Sequence, residues 1–181
     1  MLPRRRIFRP APSARRLGGA FAVFTVAALT SLLLGLGLPT NLFGSAPREQ
    51  EWSAQFGDVR IVDGETLRLG ERVLRLANLD APERGQSCRD AGGARFDCGD
   101  AAAAALARLI AGRPVICRVS GRDSFGRGLG SCSAGGLDLN AGLVASGFAA
   151  ADGASLRLVE QEARRAARGL WAGTTPAWTQ R

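Results

Sequence analysis

No histidine, lysine or tyrosine occurs anywhere in the 181-residue chain. Without histidine there is no imidazole to move protons near neutral pH, and none to complete a zinc site. Without tyrosine there is no phenol to hydrogen-bond a phosphate or to carry a stacked base. Without lysine every basic side chain is an arginine, which reflects either base composition or a use for planar, bidentate phosphate forks. The four cysteines show no C-x-x-C spacing, a second mark against zinc. The chain has no internal repeat, and its alanine run, 101–105, is ordinary helix propensity.

What is present is unevenly spread. The net charge is +8, yet residues 1–50 hold seven Arg against Glu49, while residues 51–181 hold seventeen Arg against fifteen acids. The basicity therefore belongs mostly to the N-terminal tail. Net charge does not by itself argue for a polyanion partner of the remainder, although local placement of arginines still allows one.

The tail reads as an export segment. Six arginines lie in residues 1–17, and an uncharged apolar run follows, within residues 18–43. That run is long enough to cross a bilayer as a helix, and the charge asymmetry puts the rest of the chain outside the cytoplasm. We expect an uncleaved anchor in the inner membrane; the alternative is secretion after signal cleavage. Gly44-Ser45-Ala46 is the nearest thing to a cleavage site, and Pro47 after it is unfavourable. Arg5-Arg6 faintly resembles a twin-arginine signal. Cys88, Cys98, Cys117 and Cys132 fit an oxidising compartment as two disulfides. The expected organisation is tail and anchor over 1–45, a polar linker over 46–54, a single domain over 55–173 and a C-terminal tail over 174–181.

Within the domain, QFGDVRIV, ETLRL and RVLRLANL read as strands separated by Asp63-Gly64 and Gly70-Glu71 turns. Folding 65–69 onto 72–76 sets Glu65 roughly opposite Arg75. Residues 81–97 are irregular. DAAAAALARLIAG predicts a helix capped by Asp100 and closed by Gly112. PVICRVS and GLGSCSAGG predict a hairpin centred near Ser124-Phe125, the midpoint between Cys117 and Cys132. Those two cysteines then face each other across the strands, which leaves Cys88 for Cys98. DLNAGLVASG predicts a short helix capped by Asp138 and stopped by Gly147. SLRLVEQEARRAARG is the last helix, with Glu160 and Arg164 paired at helical spacing. This mainly β arrangement, five short strands with an inserted helix and two later ones, suits a Greek-key barrel of OB type.

The stretch VDGETLRLGERVLRLANLDAPE, residues 62–83, gathers Asp63, Glu65, Asp80 and Glu83 around Arg75. Each has an ordinary reading alone: Asp63-Gly64 is a common turn, and Arg75 or Arg127 a solvated charge. Asp123 reads as a turn former, and Trp171 as packing for the last helix. Together, carboxylates and guanidiniums without imidazole suit one chemistry, metal-assisted hydrolysis of a phosphodiester. A hard cation takes oxygen ligands, guanidinium forks stabilise charge on phosphoryl oxygens, and a carboxylate orients water.

The ordered blocks VDGETLRL, RVLRLANLDAPE, DSFGRGLGSC, DLNAGLVASGFA and EQEARRAARGLW resemble the staphylococcal-type nuclease family over about residues 57–172. The stretch GQSCRDAGGARFDCG resembles an exported bacterial branch of it. The resemblance implies a five-stranded OB barrel with three helices and a calcium-dependent phosphodiesterase site. Carried over, Glu65 and Asp80 are the metal carboxylates, with the Ala81 backbone carbonyl as a further ligand and Asp63 supporting them. Glu83 is the general base or water-orienting group, and Arg75 and Arg127 clamp the phosphate. The implied substrate is DNA or RNA, and the expected state a monomer with no protein partner.

Three departures bear on activity. The family's D-G-D-T is D-G-E-T here, so Glu65 carries its carboxylate about 1.5 Å further out, against a tolerance of about 0.5 Å for productive geometry. D-T-P-E is D-A-P-E, and the tyrosine of D-x-Y-G-R is Phe125. A catalytically weak OB module that binds nucleic acid or protein is therefore the alternative reading.

Overall fold

The computed structural model describes residues 49–173. The expected basic tail, the anchor over 18–43 and the C-terminal tail over 174–181 lie outside the described residues. No helix among those described is long and apolar enough to cross a membrane.

The main sheet is built on a meander of β2 (Val59–Ile61), β3 (Thr66–Leu69) and β4 (Arg72–Leu76). These strands pair antiparallel. β4 then pairs in parallel with β9 (Gly128–Ala134), and β9 antiparallel with β8 (Val115–Arg122). A meander whose third strand runs parallel to the last strand is the connectivity of an OB-like half-barrel, and three helices accompany it. Alternation drives the curl. Val115, Cys117 and Val119 point inward while Ile116, Arg118 and Ser120 point out, and Cys132 and Ala134 do the same on β9. Inside, Leu67, Leu74, Leu76 and Leu79 meet Leu106 and Ile110 of α1 (Cys98–Ile110) and Leu139 and Leu143 of α2 (Leu139–Ala145).

The expected linker is not all linker. Gln50–Ala54 forms β1 and pairs along β8. One residue of this segment, Trp52, is buried, and its ring lies where a Cβ on Gly128 would come within 2.6 Å. A polar pentapeptide becomes a strand because a distant edge and a missing side chain receive it. With the short β10 (Leu137–Asp138) added, the sheet has seven strands rather than five.

Other boundaries move for local reasons. Phe56–Asp58 is a 3-10 turn, so the first expected strand shortens to Val59–Ile61. β5 (Leu79–Asp80) pairs with β11 (Ala150–Ala151). The irregular 81–97 contains a small hairpin, β6 (Ser87–Arg89) with β7 (Arg95–Asp97), beside the Cys88–Cys98 disulfide. The cap of α1 is Asp97, whose carboxylate accepts from the Asp100 N–H at 2.9 Å; Asp100 sits in the first turn. Asp138 caps α2 as expected. The last helix, α3, is shorter than its pattern, Arg157–Arg165, because Ala167 turns to φ 47°. Trp171 packs beside the Cys88–Cys98 region, with the Arg164 guanidinium 4.2 Å over its ring.

Both disulfides form as expected. Cys117 and Cys132 are register partners on β8 and β9, with Cα atoms 4.0 Å apart. Cross-links closing loops of this size stabilise by roughly 3 kcal/mol, chiefly by restricting the unfolded chain.

Candidate active site

The β2–β3 turn begins the site. Asp63 Oδ1 accepts the Glu65 N–H at 2.8 Å, an Asx turn that leaves Asp63 shaping backbone. Thr66, not Glu65, is the register partner of Arg75. The expected pair forms nonetheless, because Glu65 precedes the first residue of β3 and is not bound to the pleat. Arg75 Nε donates to Glu65 Oε1 at 2.7 Å and Arg75 Nη2 to Oε2 at 3.0 Å, a bidentate bridge. Asp80, on β5, brings Oδ1 to 3.8 Å from the same Arg75 Nη2. The Ala81 N–H donates to Glu65 Oε2 at 3.3 Å. Ala81 thus meets the cluster through its N–H.

Arg75 is half-buried. Its hydrogen bond to Glu65 raises its pKa above the ordinary arginine value, burial opposes this, and the charges of Glu65, Asp80 and Asp152 add to the rise. It is a permanent cation held between two acids.

Arg127 follows the β8–β9 turn. Asp123 organises that turn, as expected: Oδ1 accepts the N–H groups of Phe125 and Arg127, each at 2.9 Å, and Oδ2 takes Arg127 Nε at 2.6 Å. Arg127 Nη1 then reaches the buried Thr66 hydroxyl at 3.4 Å. Thr66 is the residue that the sequence reading passed over. Its strand position faces Arg75 and its hydroxyl takes Arg127, so it ties the two arginines to one place. The signal available was its position directly after Glu65 in D-G-E-T.

Glu83 is placed differently. Its backbone is pinned: its N–H donates to Gln86 Oε1 at 3.1 Å, and its carbonyl accepts the Gln86 N–H at 3.0 Å. A Cβ on Gly99 would fall 1.9 Å from the Glu83 carbonyl, so the first turn of α1 rests directly on this loop. The carboxylate itself is exposed and has no side-chain partner among the described residues. Glu65, Arg75 and Asp80 are therefore brought together, Arg127 joins through Thr66, and Glu83 stands at the rim.

Among the described residues no group of three or more Asp, Glu, Cys or His side chains is gathered closely enough to hold an ion. The donor types do fit a hard divalent cation, since two carboxylates converge and all the donors are oxygen. With only two protein carboxylates, water and substrate oxygens would complete the shell. Arg75 competes for Glu65.

The acid limb of stability follows from Asp123 and Asp97. Burial pushes the Asp123 carboxyl up, but hydrogen bonds from the Arg127 side chain and the backbone N–H groups outweigh it and leave the group below its ordinary value. The Asp100 N–H chiefly lowers Asp97 in the same way. A depressed folded-state pKa stabilises above the unfolded value, near 3.8, and that contribution fades as pH falls through the lower folded one. We expect the Phe125, Arg127 and Asp100 amides to keep their hydrogen-exchange protection from pH 7 to 5 and lose it below pH ~4. Asp123→Asn should flatten this fall at the hairpin alone; unchanged acid dependence there would refute the assignment.

An OB-like mixed half-barrel that presents acids and guanidiniums together beside its turns defines a nuclease-type domain. The chain belongs to a particular family: the profile described as "Staphylococcal nuclease homologue" matches residues 73–173. It is 38% identical over 169 residues to the succinoglycan biosynthesis protein ExoI of Rhizobium meliloti (strain 1021), covering 90% of this chain and 83% of that protein. It is 32% identical over 135 residues to an uncharacterized endonuclease of Escherichia coli O157:H7, covering 68% of this chain and 82% of the relative. The matched stretch holds Arg75, Asp80, Glu83 and Arg127 but begins after Glu65.

Proposed function

We propose that this chain hydrolyses phosphodiester bonds of DNA or RNA outside the cytoplasm, with a divalent cation, calcium, as cofactor. The observation that carries this is the half-buried Arg75 guanidinium flanked by Glu65 and Asp80. On this reading Glu65 and Asp80 hold the ion, with Ala81 as a backbone ligand and Asp63 fixing the turn that presents Glu65. The ion, when bound, withdraws charge from the phosphate. Arg75 and Arg127 grip the phosphoryl oxygens as charge builds on them. Glu83, solvated at the rim, orients the attacking water or takes its proton. The two disulfides support an extracytoplasmic site of action, with residues 18–43 as a membrane anchor over a monomeric domain spanning about 55–173 together with β1.

The full-length protein should degrade single-stranded oligonucleotide in calcium and stop in excess chelator, and Glu83→Gln should lower turnover by about 10²-fold or more. A folded protein that cuts nothing at high concentration would sink the proposal.

The bidentate Glu65–Arg75 bridge favours a second reading, a nucleic-acid-binding module with weak or no hydrolysis, because it engages a ligand and a clamp at once. Glu65→Asp distinguishes the two: a rise in rate places the fault in the longer side chain, and no rise from an inactive parent supports the module.

A further inference from the structure

A second basic feature lies beside the site. A groove of about 790 Å³ opens between β1, the start of β4 and the β8–β9 turn, and Arg127 lines one end of it. On its wall two guanidiniums converge on a single indole: Arg72 stands 5.4 Å and Arg122 5.9 Å from the Trp52 ring centroid. Two like charges around one buried ring repel each other, and among the described residues neither has a carboxylate partner. Of the two acids at the groove, Glu71 pairs with Arg68 at 2.9 Å, and no ion pair joins Glu51 to either arginine. Cation–π attraction to the ring favours both guanidiniums there, and Arg122 Nη1 also donates to the Gly126 carbonyl at 2.7 Å.

Phe125 lines the same groove and is 82% exposed. A ring that far out, with the Arg127 guanidinium 5.4 Å from its centroid, is a flat, solvent-facing platform. Aromatic platforms interleaved with arginines suit a single strand, whose bases are free to stack while its phosphates meet cations. A duplex keeps its bases stacked on one another and offers Phe125 nothing.

We propose that this groove binds the single-stranded substrate beyond the phosphate being cut, with Arg72 and Arg122 on backbone phosphates and an unpaired base on Phe125. The assignment rests on the nuclease reading and adds to it a substrate preference and a track along which the strand runs. Arg127 belongs to both places and joins the groove to the site.

The test uses the full-length protein. Binding of a dye-labelled oligothymidylate of roughly a dozen nucleotides is followed by anisotropy in chelator, where no turnover is needed. The Arg72→Gln/Arg122→Gln double variant should bind about 10-fold or more weakly, and its salt slope should fall by about 1.4, two single-strand phosphate contacts. Phe125→Ala should lose about 10-fold without changing the slope. In calcium, the double variant should raise KM on the oligonucleotide while cleaving a dinucleoside phosphate, too short for the groove, as the parent does. Circular dichroism confirms that the variants are folded.

Parent-like affinity and slope in the double variant would overturn the proposal. So would an equal loss on the dinucleoside, which puts these arginines in the chemistry, or loss of phosphatidylglycerol-vesicle binding in place of oligonucleotide binding. If the parent binds the strand through the groove but cuts nothing, the hydrolytic reading fails and the groove stands. If it cuts and the double variant is unaffected, the groove fails alone.

Discussion

Arg75→Gln is expected to lower kcat on single-stranded substrate by about 10²- to 10³-fold, the usual cost of removing a donor aimed at developing phosphoryl charge. The structure attaches a second, opposite consequence. Arg75 makes both ends of its fork available to Glu65, at 2.7 and 3.0 Å, and holds Asp80 at 3.8 Å. A guanidinium so placed competes with any cation for the same oxygens. Without it, Glu65 and Asp80 lose the cation they share, and calcium should bind more tightly, by titration calorimetry, while the reaction slows. Arg75→Lys keeps the charge but loses the planar fork, so it should recover little of the rate. Calcium affinity that falls along with the rate would mean that Arg75 organises the ion's ligands rather than competing with it. Full activity in Arg75→Gln would remove it from the reaction.

The largest stability effect is expected at Asn140, which carries no chemistry. It is buried, and one amide serves three backbone groups: Oδ1 accepts the Cys132 N–H at 3.0 Å, while Nδ2 donates to the carbonyls of Ala77 at 2.9 Å and Gly130 at 3.3 Å. These contacts fasten α2 to β9 and to the chain leaving β4, two residues beyond Arg75. Asn140→Leu keeps the approximate volume and takes the amide partner from the Cys132 N–H and the Ala77 carbonyl, while the Gly130 carbonyl keeps the Ala77 N–H at 2.8 Å. At about 1–3 kcal/mol for each of the two unsatisfied groups, partly offset by the apolar side chain, we expect a loss of about 2–4 kcal/mol. For a domain of this size that lowers Tm by about 8–16 °C. Thermal unfolding followed by circular dichroism checks it. A shift of only a degree or two would mean that water or a backbone adjustment replaces the amide.

Several features were legible because they are local. The β8–β9 hairpin followed from two-residue alternation, and the Cys117–Cys132 pairing from equal distances to the turn. The Asp138 cap, the Asp123 turn and the Glu160–Arg164 pair likewise need only neighbours along the chain. The α1 cap shows the limit: Asp97 and Asp100 stand three apart, and either suits a helix start until the backbone angles show where the helix begins. β1 was not legible, since QEWSA offers only two apolar residues, Trp52 and Ala54, too few to mark a strand by alternation. Its strand comes from the free edge of β8 and the space above Gly128, both more than sixty residues away in sequence. Asn140 was invisible for the same reason; its partners are a strand and a loop that only folding brings to it.

The sequence by itself determined the chemistry available, acids and arginines in a set order with no imidazole, lysine amine or phenol, and it determined the elements that short-range periodicity dictates. Tertiary structure alone decided which charges share a partner. Glu65 meets Arg75 by leaving the pleat, Thr66 joins Arg75 to Arg127, and Arg72 and Arg122 close on one indole. Charge interactions weaken with spatial distance and are largely screened beyond about 10 Å, so separations along the chain say little about them, and the packed sheet sets the distances that count.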